Sequence, residues 1–332
     1  MKDILYKAYQ VAQGDDGIFR GEIKELQTSN LPEEDLLIKV VYSSLNYKDA
    51  LSARGNKGVT KHYPHTPGID AAGIVVEDLS GQFKTGEEVI VTGWDLGMNT
   101  PGGFGEYIKV PSSWAAKHPS GLSMKESMLY GTAGLTAGLS VYALSQLVKP
   151  QSGEILVTGS TGGVGSFSVG LLSKSGYKVT GVTGKPEGKK LLERLGASYT
   201  ISREEALSPS RSPLLREQWS GVVDTVGGDI LGTAIRSTVQ RGVITCCGNA
   251  ASNDLPLTVL PFILRGITLT GIDSQKAPSE LRNKIWNLLA TDWKINYPKE
   301  LWSEITLDQL DDKIELMLKG KGKGRFIIKH NH

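Results

Sequence analysis

Cysteine is nearly absent from this sequence. Only Cys246 and Cys247 occur among its 332 residues, and they are neighbours. Successive side chains of a strand point to opposite faces, so we do not expect these two thiols to form a disulfide. Two cysteines also cannot supply a four-cysteine structural zinc site. The pattern favours structural thiols in a reducing cytoplasm.

Long hydrophobic runs and an excess of one charge are absent as well. No apolar run approaches the roughly 20 residues of a membrane span, and the N-terminus lacks the apolar core of a signal peptide. The formal net charge is only +2, and no basic run alternates with aromatic residues. These absences argue against nucleic-acid and membrane partners. They favour a cytoplasmic protein that acts on a small-molecule substrate.

The length of 332 residues predicts about two domains, and the 40 glycines predict many tight turns. Short strands and glycine-rich joints fill residues 1–123, strands alternate with helices over 124–275, and a last strand is expected at 325–329. We therefore predict an α/β protein with a β-rich domain of residues 1–123 and 276–332 and a doubly wound parallel-sheet domain of residues 124–275. The strands expected in the parallel sheet are 154–159, 177–182, 198–201, 221–225, 242–247 and 266–272.

A dinucleotide-binding fingerprint is indicated by the stretch Glu154–Ser166, which passes from an apolar strand through a glycine-rich turn into a helix. Gly159 permits the tight turn, Gly162 lets the backbone approach a diphosphate, and Gly165 lets helix and strand pack closely. Gly176 stands where a left-handed residue would end the helix. The spacing GxxGGVG differs from the common GxGxxG. Its context nevertheless predicts that a diphosphate binds at the helix N-terminus.

The residues after the second strand of this unit, Thr183, Gly184 and Lys185, indicate which dinucleotide is preferred. NAD sites usually have an acidic residue there to bind the ribose 2′-hydroxyl, whereas the first carboxylate here is Glu187. A hydroxyl and a lysine favour a 2′-phosphate, so the sequence predicts NADP(H). The alternative is a solvated lysine cluster that opens the next helix.

Motifs from all parts of the chain point to one family. They are Ser43–Ala50, Pro67–Gly73, Gly102–Tyr107, Gly131–Ala137, Gly159–Gly165, Val223–Gly227, Pro261–Gly266 and Gly271–Ser274. Together they resemble the zinc-independent branch of the medium-chain dehydrogenase/reductase superfamily, and within it the group of acrylyl-CoA reductases and quinone oxidoreductases. The resemblance covers essentially the whole chain. It implies a GroES-like, β-rich catalytic domain and a Rossmann domain that binds NADP(H).

Zinc-dependent members of this superfamily place a cysteine at the position of Asn46, a histidine at the position of Ile69 and a third ligand near Gly131. Asn, Ile and Gly cannot form a zinc site of nitrogen and sulfur ligands, so no metal is expected. The resemblance then implies reduction of an activated acceptor, in which hydride from NADPH converts acrylyl-CoA into propanoyl-CoA. One alternative is an NADPH:quinone oxidoreductase, and another is an NADPH-binding protein with little turnover.

The resemblance also implies roles for individual residues. Tyr47 would contact the cofactor near the nicotinamide, and either donate a proton or only present a wet hydroxyl. Asn46 would orient the substrate or the nicotinamide, and Asp49 would anchor the turn. The cofactor-binding residues implied are Tyr47, Thr161, Gly162, Gly163, Val164, Thr183, Gly184, Lys185, Arg203, Asn249, Ile263 and Ser274, and Thr136 is a weaker candidate.

Three further features keep alternatives open. Arg203 binds near the adenosine or is a surface arginine, and Ile263 walls the nicotinamide pocket or packs in the core. The basic residues of the loop 54–62 either meet the phosphates of a CoA ester or are solvated. The last strand of the parallel sheet, 266–271, would have an open edge, and we predict a homodimer that pairs through it.

Overall fold

The computed structural model describes residues 3–184, 186–322 and 324–331. The chain divides into two compact units. The first unit comprises Met1–Thr132, Gln275–Ala290 and Pro298–His332, and the second comprises Ala133–Ser274 and Thr291–Tyr297. The domain limits expected from the sequence stay a proposal. Each unit is described below by itself.

The described residues form strands and helices that are numbered in chain order. The strands are β1 (Leu5–Gln13), β2 (Phe19–Gln27), β3 (Leu36–Leu45), β4 (Asp70–Asp78), β5 (Glu88–Thr92), β6 (Tyr107–Val110), β7 (Ala115–Lys117), β8 (Glu154–Val157), β9 (Lys178–Val182), β10 (Tyr199–Ile201), β11 (Trp219–Asp224), β12 (Thr238–Cys246), β13 (Thr268–Gly271), β14 (Trp302–Ile305) and β15 (Arg325–Lys329). The helices are α1 (Tyr47–Ser52), α2 (Met124–Ser145), α3 (Gly163–Lys174), α4 (Pro186–Arg194), α5 (Gly228–Arg236), α6 (Leu260–Arg265), α7 (Ser279–Ala290) and α8 (Leu310–Leu318). Over the described ranges, no helix has both the length and the apolar character that a membrane crossing needs.

In the first unit, β3 is the central strand of a sheet with the order β14-β15-β3-β4-β5-β7, and β6 also pairs with β3. The β-branched and aliphatic residues of β3 are buried along most of its length, which suits a central strand. Strand β15 pairs antiparallel with β3, so that Phe326 lies opposite Leu45. This register brings the start of β15 to the end of β3, where α1 begins.

In the second unit, six strands form one sheet in the order β10-β9-β8-β11-β12-β13, and every recorded pair is parallel. This is the strand order of a doubly wound nucleotide-binding fold, with β8 in the middle. The predicted fold class, a GroES-like β-rich domain with a Rossmann domain, is confirmed. The glycine-rich turn follows the carboxyl end of β8, which is where such sheets bind ligands.

Helix α2 is bent at Gly131, where the backbone has φ 50° and ψ −155°. This region of φ/ψ space is essentially restricted to glycine. A Cβ at this position would lie 2.4 Å from Asp70 Oδ2 and 2.8 Å from Ser44 Oγ. The bend therefore needs glycine for two reasons, backbone conformation and space.

Candidate active site and cofactor-binding turn

Helix α1 begins directly after β3, and Asn46 is its N-cap residue. The backbone N–H of Asn46 donates to Asp49 Oδ2 at 2.8 Å, while the other carboxylate oxygen of Asp49 accepts from the backbone N–H of Ile69 at 2.9 Å. Asp49 thus ties the first turn of α1 to the chain just before β4. The expectation that Asp49 anchors this turn matches its contacts.

The side-chain amide of Asn46 is engaged on both sides. Its Nδ2 donates to Asp70 Oδ2 at 2.8 Å and to Asp49 Oδ2 at 3.2 Å, and its Oδ1 accepts from Arg325 Nη1 at 3.0 Å. These partners fix the rotamer and the amide orientation of Asn46. Its catalytic role stays a prediction, and the geometry suits orienting α1 better than binding a substrate directly.

Arg325 is the cation of this network, and only 5% of the residue is exposed. Its Nη2 donates to Ser44 Oγ at 3.1 Å and its Nε to the carbonyl of Leu129 at 3.2 Å. Ser44 Oγ in turn donates to Asp70 Oδ2 at 2.6 Å. The buried guanidinium therefore has hydrogen-bond acceptors on all three of its nitrogens, which a buried charge requires.

Asp70 binds the network to α2. Its Oδ1 accepts from Thr132 Oγ1 at 2.6 Å, and both carboxylate oxygens lie 3.0 Å from the backbone N–H of Thr132. Burial, together with the negative charge of Asp70, raises the pKa of the Asp49 carboxyl to about 7.

Sequence reasoning missed Asp70 and Arg325. Both are charged residues at the start of a strand, β4 and β15, and a run of apolar residues follows each of them. Charged side chains are almost never fully buried unless they are paired. That signal was available in the sequence, but the pairing depends on the β15–β3 register.

A zinc ion does not fit the first unit at the positions where zinc-dependent members have ligands. Asn46 Oδ1 already accepts from the Arg325 guanidinium, the side chain of Ile69 is apolar, and a Cβ at Gly131 would lie 3.0 Å from Arg325 Nη2. A fixed cation therefore lies among these positions. Across the described residues, no group of three His, Cys, Asp or Glu side chains is arranged to hold a metal.

Tyr47 is the first residue of α1, and 59% of it is exposed. Its neighbours Asn46 and Asp49 are buried, so the network holds the helix while the tyrosine ring extends from it. The exposed ring is available for a ligand contact. The cofactor and proton-donor roles of Tyr47 stay predictions.

In the second unit, the glycine-rich turn has the backbone geometry that the fingerprint predicts. Gly159 has a left-handed φ of 54°. A Cβ at Gly165 would lie 2.3 Å from the carbonyl oxygen of Gly159, so only glycine allows α3 to pack this closely. Gly162 is the exposed N-cap of α3, and no side chain caps the helix. Gly176 follows α3 with φ 83°, as expected for a helix terminator.

The buried carboxylate of Asp224, at the end of β11, binds residues beside this turn. Thr158 Oγ1 donates to Asp224 Oδ1 at 2.6 Å, and the backbone N–H of Gly227 donates to Asp224 Oδ2 at 2.9 Å. Thr225 Oγ1 donates to the carbonyl of Thr158 at 3.0 Å. Burial raises the pKa of Asp224. The sequence motif that contains Asp224 was recognised, but its supporting role was not predicted.

Thr161, Thr183 and Arg203 converge at the carboxyl ends of β8, β9 and β10. A Cβ on Gly188 of α4 would lie 2.2 Å from Thr183 Oγ1 and 2.8 Å from Thr161 Cγ2, so both threonines border that glycine. A Cβ on Gly184 would lie 3.2 Å from Arg203 Nε, so the guanidinium lies beside Gly184. Lys185 lies outside the described residues.

The remaining predicted residues lie in three places. Thr136 Oγ1 donates to Ser274 Oγ at 2.7 Å, which brings these two candidates together. Asn249 is exposed after β12, where its amide donates to Asn253. Ile263 is 69% exposed on α6, so plain core packing is the wrong reading of this residue. Its cofactor contact stays a prediction.

Comparison with known proteins matches this two-part geometry. The family model described as alcohol dehydrogenase GroES-like domain matches residues 32–120, and the one described as zinc-binding dehydrogenase matches residues 163–291. A relative named as a quinone oxidoreductase, YhfP of Bacillus subtilis, is 40% identical over 98% of this chain and 99% of its own length. The chain belongs to the medium-chain dehydrogenase/reductase family.

Two further members of the family extend the comparison. Acrylyl-CoA reductase AcuI of Ruegeria pomeroyi is 37% identical over 95% of this chain and 96% of its own length. The crystal structure of the YhdH oxidoreductase of Salmonella enterica in complex with NADP is 39% identical, with a TM-score of 0.94 over 98% of this chain and 100% of that one. The crystal structure of YhfP has NAD bound and superposes with a TM-score of 0.95 at 39% identity, over 98% of this chain and 100% of that one.

Proposed function

We propose that this protein is an NADPH-dependent reductase that adds hydride to the activated double bond of acrylyl-CoA and so forms propanoyl-CoA. The observation that carries the proposal is the 37% identity to acrylyl-CoA reductase AcuI over nearly the full length of both chains. The lack of a fitting zinc site supports it, because an α,β-unsaturated thioester delocalises the charge left by hydride addition and does not need a metal to do so.

The second unit supplies the groups that would hold the cofactor. The uncapped N-terminus of α3 offers the backbone N–H groups of Gly163 and Val164 and the positive end of the helix dipole to the diphosphate, while Gly162 lets it approach the backbone. Thr183 and Arg203 would hold the 2′-phosphate end. NADP is bound in the S. enterica relative and NAD in the B. subtilis one, so the shared fold accepts either cofactor. The side chains of Thr183 and Arg203 would therefore set the preference of this protein for NADP(H) over NAD(H).

The first unit would contribute orientation and a proton. The Arg325–Asn46–Asp70 network fixes the start of α1, and with it the position of Tyr47. The bound nicotinamide supplies a hydride to the β-carbon of the acceptor. The Tyr47 hydroxyl or a water molecule then gives a proton to the α-carbon, which completes the saturated acyl group. Catalysis would come mainly from orientation.

Quinone reduction is the second candidate. The name of YhfP, at 40% identity, favours it. A quinone takes the same hydride and needs no dedicated acid at carbon. The two functions therefore differ in the acceptor and in the group that must recognise it.

The deciding experiment follows NADPH absorbance with purified protein, with acrylyl-CoA and a simple benzoquinone as parallel acceptors and NADH as the control cofactor. We expect a much higher kcat/KM for acrylyl-CoA with NADPH. Turnover of benzoquinone alone would replace the acyl-CoA proposal by the quinone one. Tight NADPH binding without turnover across both acceptors would favour a cofactor-binding protein instead.

We also propose a homodimer that pairs through the edge strand predicted at 266–271. Strand β13 ends the six-stranded sheet, and the neighbouring side chains of Val259, Ile263 and Leu264 are 64%, 69% and 57% exposed. An open edge beside exposed apolar residues suits a second copy of the same chain. Light scattering after size exclusion should give twice the chain mass, and Leu264→Asp should shift the mass toward the monomer.

A further inference from the structure

A polar cavity lies in the first unit, and none of the residues of the Asn46–Arg325 network lines it. Its volume is about 360 Å³, which is within the range of pockets that hold organic ligands. It is framed by the end of β1 and by the loop after α1. The residues that line it are Ala12, Gln13, Lys57, Lys61, His62, Tyr63 and Pro64. Three of these residues are basic and none is acidic.

The ammonium group of Lys57 is held in place by its surroundings. Its Nζ donates to the carbonyl of Lys61 at 3.1 Å, and it lies 4.6 Å from the ring centroid of Tyr63 and 5.3 Å from that of Phe19. A Cβ at Gly55 would overlap the Phe19 ring at 2.1 Å, so this glycine makes room for the ring. A lysine that is fixed in this way loses little conformational entropy when it binds an anion.

The frame of the cavity is rigid as well. Tyr63 Oη donates to the carbonyl of Ser52, the last residue of α1, at 2.6 Å. Val11 and His65 exchange two backbone hydrogen bonds of 2.7 and 2.9 Å, which join β1 to the loop. The cavity is therefore a fixed feature of the first unit, rather than a gap between loose side chains.

The neighbouring arginines are not available to an anion in the same way. Arg54 pairs with Asp311 and Glu315 at 2.9 Å, and Arg20 pairs with Asp16 at 2.6 Å. Of the ion pairs that the described residues form, none involves Lys57 or Lys61. The sequence grouped Arg54 with the basic residues of this loop, but its carboxylate partners on α8 remove it from that group.

We propose that this cavity binds the phosphorylated adenosine end of a coenzyme A ester. The inference rests on the proposed acyl-CoA function, and it names the part of the protein that selects that substrate. Helix α1 carries Tyr47 at its start and leads to the cavity, and its six residues span about 9 Å at 1.5 Å per residue. A CoA ester likewise separates its reacting thioester from its phosphates by a long arm. A quinone has no phosphate and would gain nothing from this cavity.

The test compares Lys57→Gln, Lys61→Gln and the double variant with wild type, with NADPH saturating. Lys24→Gln is the matched control, since it removes the same charge from a side chain outside the cavity that pairs with Glu22. We expect the double variant to raise KM for acrylyl-CoA about tenfold or more, as charge-assisted hydrogen bonds to phosphate are lost. Its kcat, and its KM for benzoquinone, should stay at the wild-type values. An equal rise in KM for both acceptors, or the same rise in Lys24→Gln, would overturn the assignment.

A binding titration keeps the inference separate from the proposed activity. Adenosine 3′,5′-bisphosphate is titrated into the protein with saturating NADP⁺, which blocks the nucleotide site of the second unit. Binding to wild type that is lost in Lys61→Gln supports the cavity even if acrylyl-CoA is not turned over. Among the described residues, the Lys61 side chain forms no hydrogen bond and no ion pair, so this variant should fold normally. No binding, or equally good competition by inorganic phosphate, would refute a site for the CoA adenosine.

Discussion

The Asn46–Arg325 network of the first unit and the glycine-rich turn of the second use hydrogen bonds in opposite ways. In the network, the amide, guanidinium and carboxylate groups bind one another and are buried. In the turn, the N-terminus of α3 is exposed and uncapped, and the buried Asp224 lies beneath it. In the network, the polar groups bind one another and so fix the start of α1. In the turn, the backbone N–H groups at the N-terminus of α3 have no side-chain acceptor, which is the form of a ligand site.

The largest effect is expected from Arg325→Met, which removes the cation from the network. Asp70 would then remain as a buried carboxylate that is bound to Ser44 and Asn46, with no cation left in its network. Leaving a buried charge uncompensated costs about 3–5 kcal/mol of unfolding free energy. Urea unfolding followed by circular dichroism measures it. Arg20→Met, which breaks the exposed pair with Asp16, should change stability little. Similar losses for both variants would show that the network is not a buried ion site.

A substitution in the cofactor-binding region of the second unit should affect cofactor binding rather than folding. Thr183→Asp places a carboxylate where the 2′-phosphate is expected, and loses a hydrogen bond to a charged group. We expect kcat/KM with NADPH to fall about tenfold to hundredfold, while kcat/KM with NADH rises. Thr183→Ser keeps the hydroxyl and should retain the NADPH preference. If Thr183→Asp leaves the cofactor preference unchanged, the 2′-phosphate does not bind here.

Comparing Gly131→Ala with Gly176→Ala separates the cost of backbone strain from the cost of a steric clash with the network. The positive φ costs about 1–3 kcal/mol for a residue with a side chain, and the added Cβ also meets Asp70 Oδ2 at 2.4 Å. Gly176→Ala is the matched variant, because its φ is 83° but its nearest neighbour would be 3.9 Å away. Thermal unfolding should show a larger loss for Gly131→Ala. Equal losses would mean that the network yields to the new methyl group.

A further prediction concerns pH. The pKa of the Asp49 carboxyl is about 7 in the folded protein, against 3.8 for an ordinary aspartate. Between these values the folded state binds more protons than the unfolded state, so the unfolding free energy falls as pH rises from 3.8 toward 7. Asp49→Asn removes this titration. Wild type should therefore lose stability relative to the variant over that range, and parallel pH curves for the two proteins would contradict the assignment.

The glycine-rich turn was predictable from the sequence because it is local. Gly159, Gly165 and Gly176 each act on the backbone within a few residues, and their spacing reports the strand, turn and helix directly. The Asn46 network was predictable only in part. Asn46 and Asp49 belong to one motif, but Asp70 and Arg325 arrive from β4 and β15, and no local pattern shows which strands will pair.

The convergence of Arg203 on Gly184 is an intermediate case. The family resemblance assigned both residues to the adenosine end, and the structure places an exposed Arg203 beside Gly184, so the ligand role of Arg203 stays a prediction. The exposure of Ile263 could not be predicted from the sequence either. An isoleucine in a short helix is usually expected in the core, and only the structure shows that the edge of the sheet beside it is open.

The missing side chain at Gly131 also limits how this protein's chemistry can change by mutation. Any residue able to ligate a metal there would bring a Cβ to within 3.0 Å of Arg325 Nη2. The guanidinium would have to leave as new ligands appeared at positions 46 and 69, and its loss alone would leave the buried Asp70 carboxylate with no cation in its network. A change to metal-assisted catalysis therefore requires several substitutions at once and is difficult to reach by single mutations.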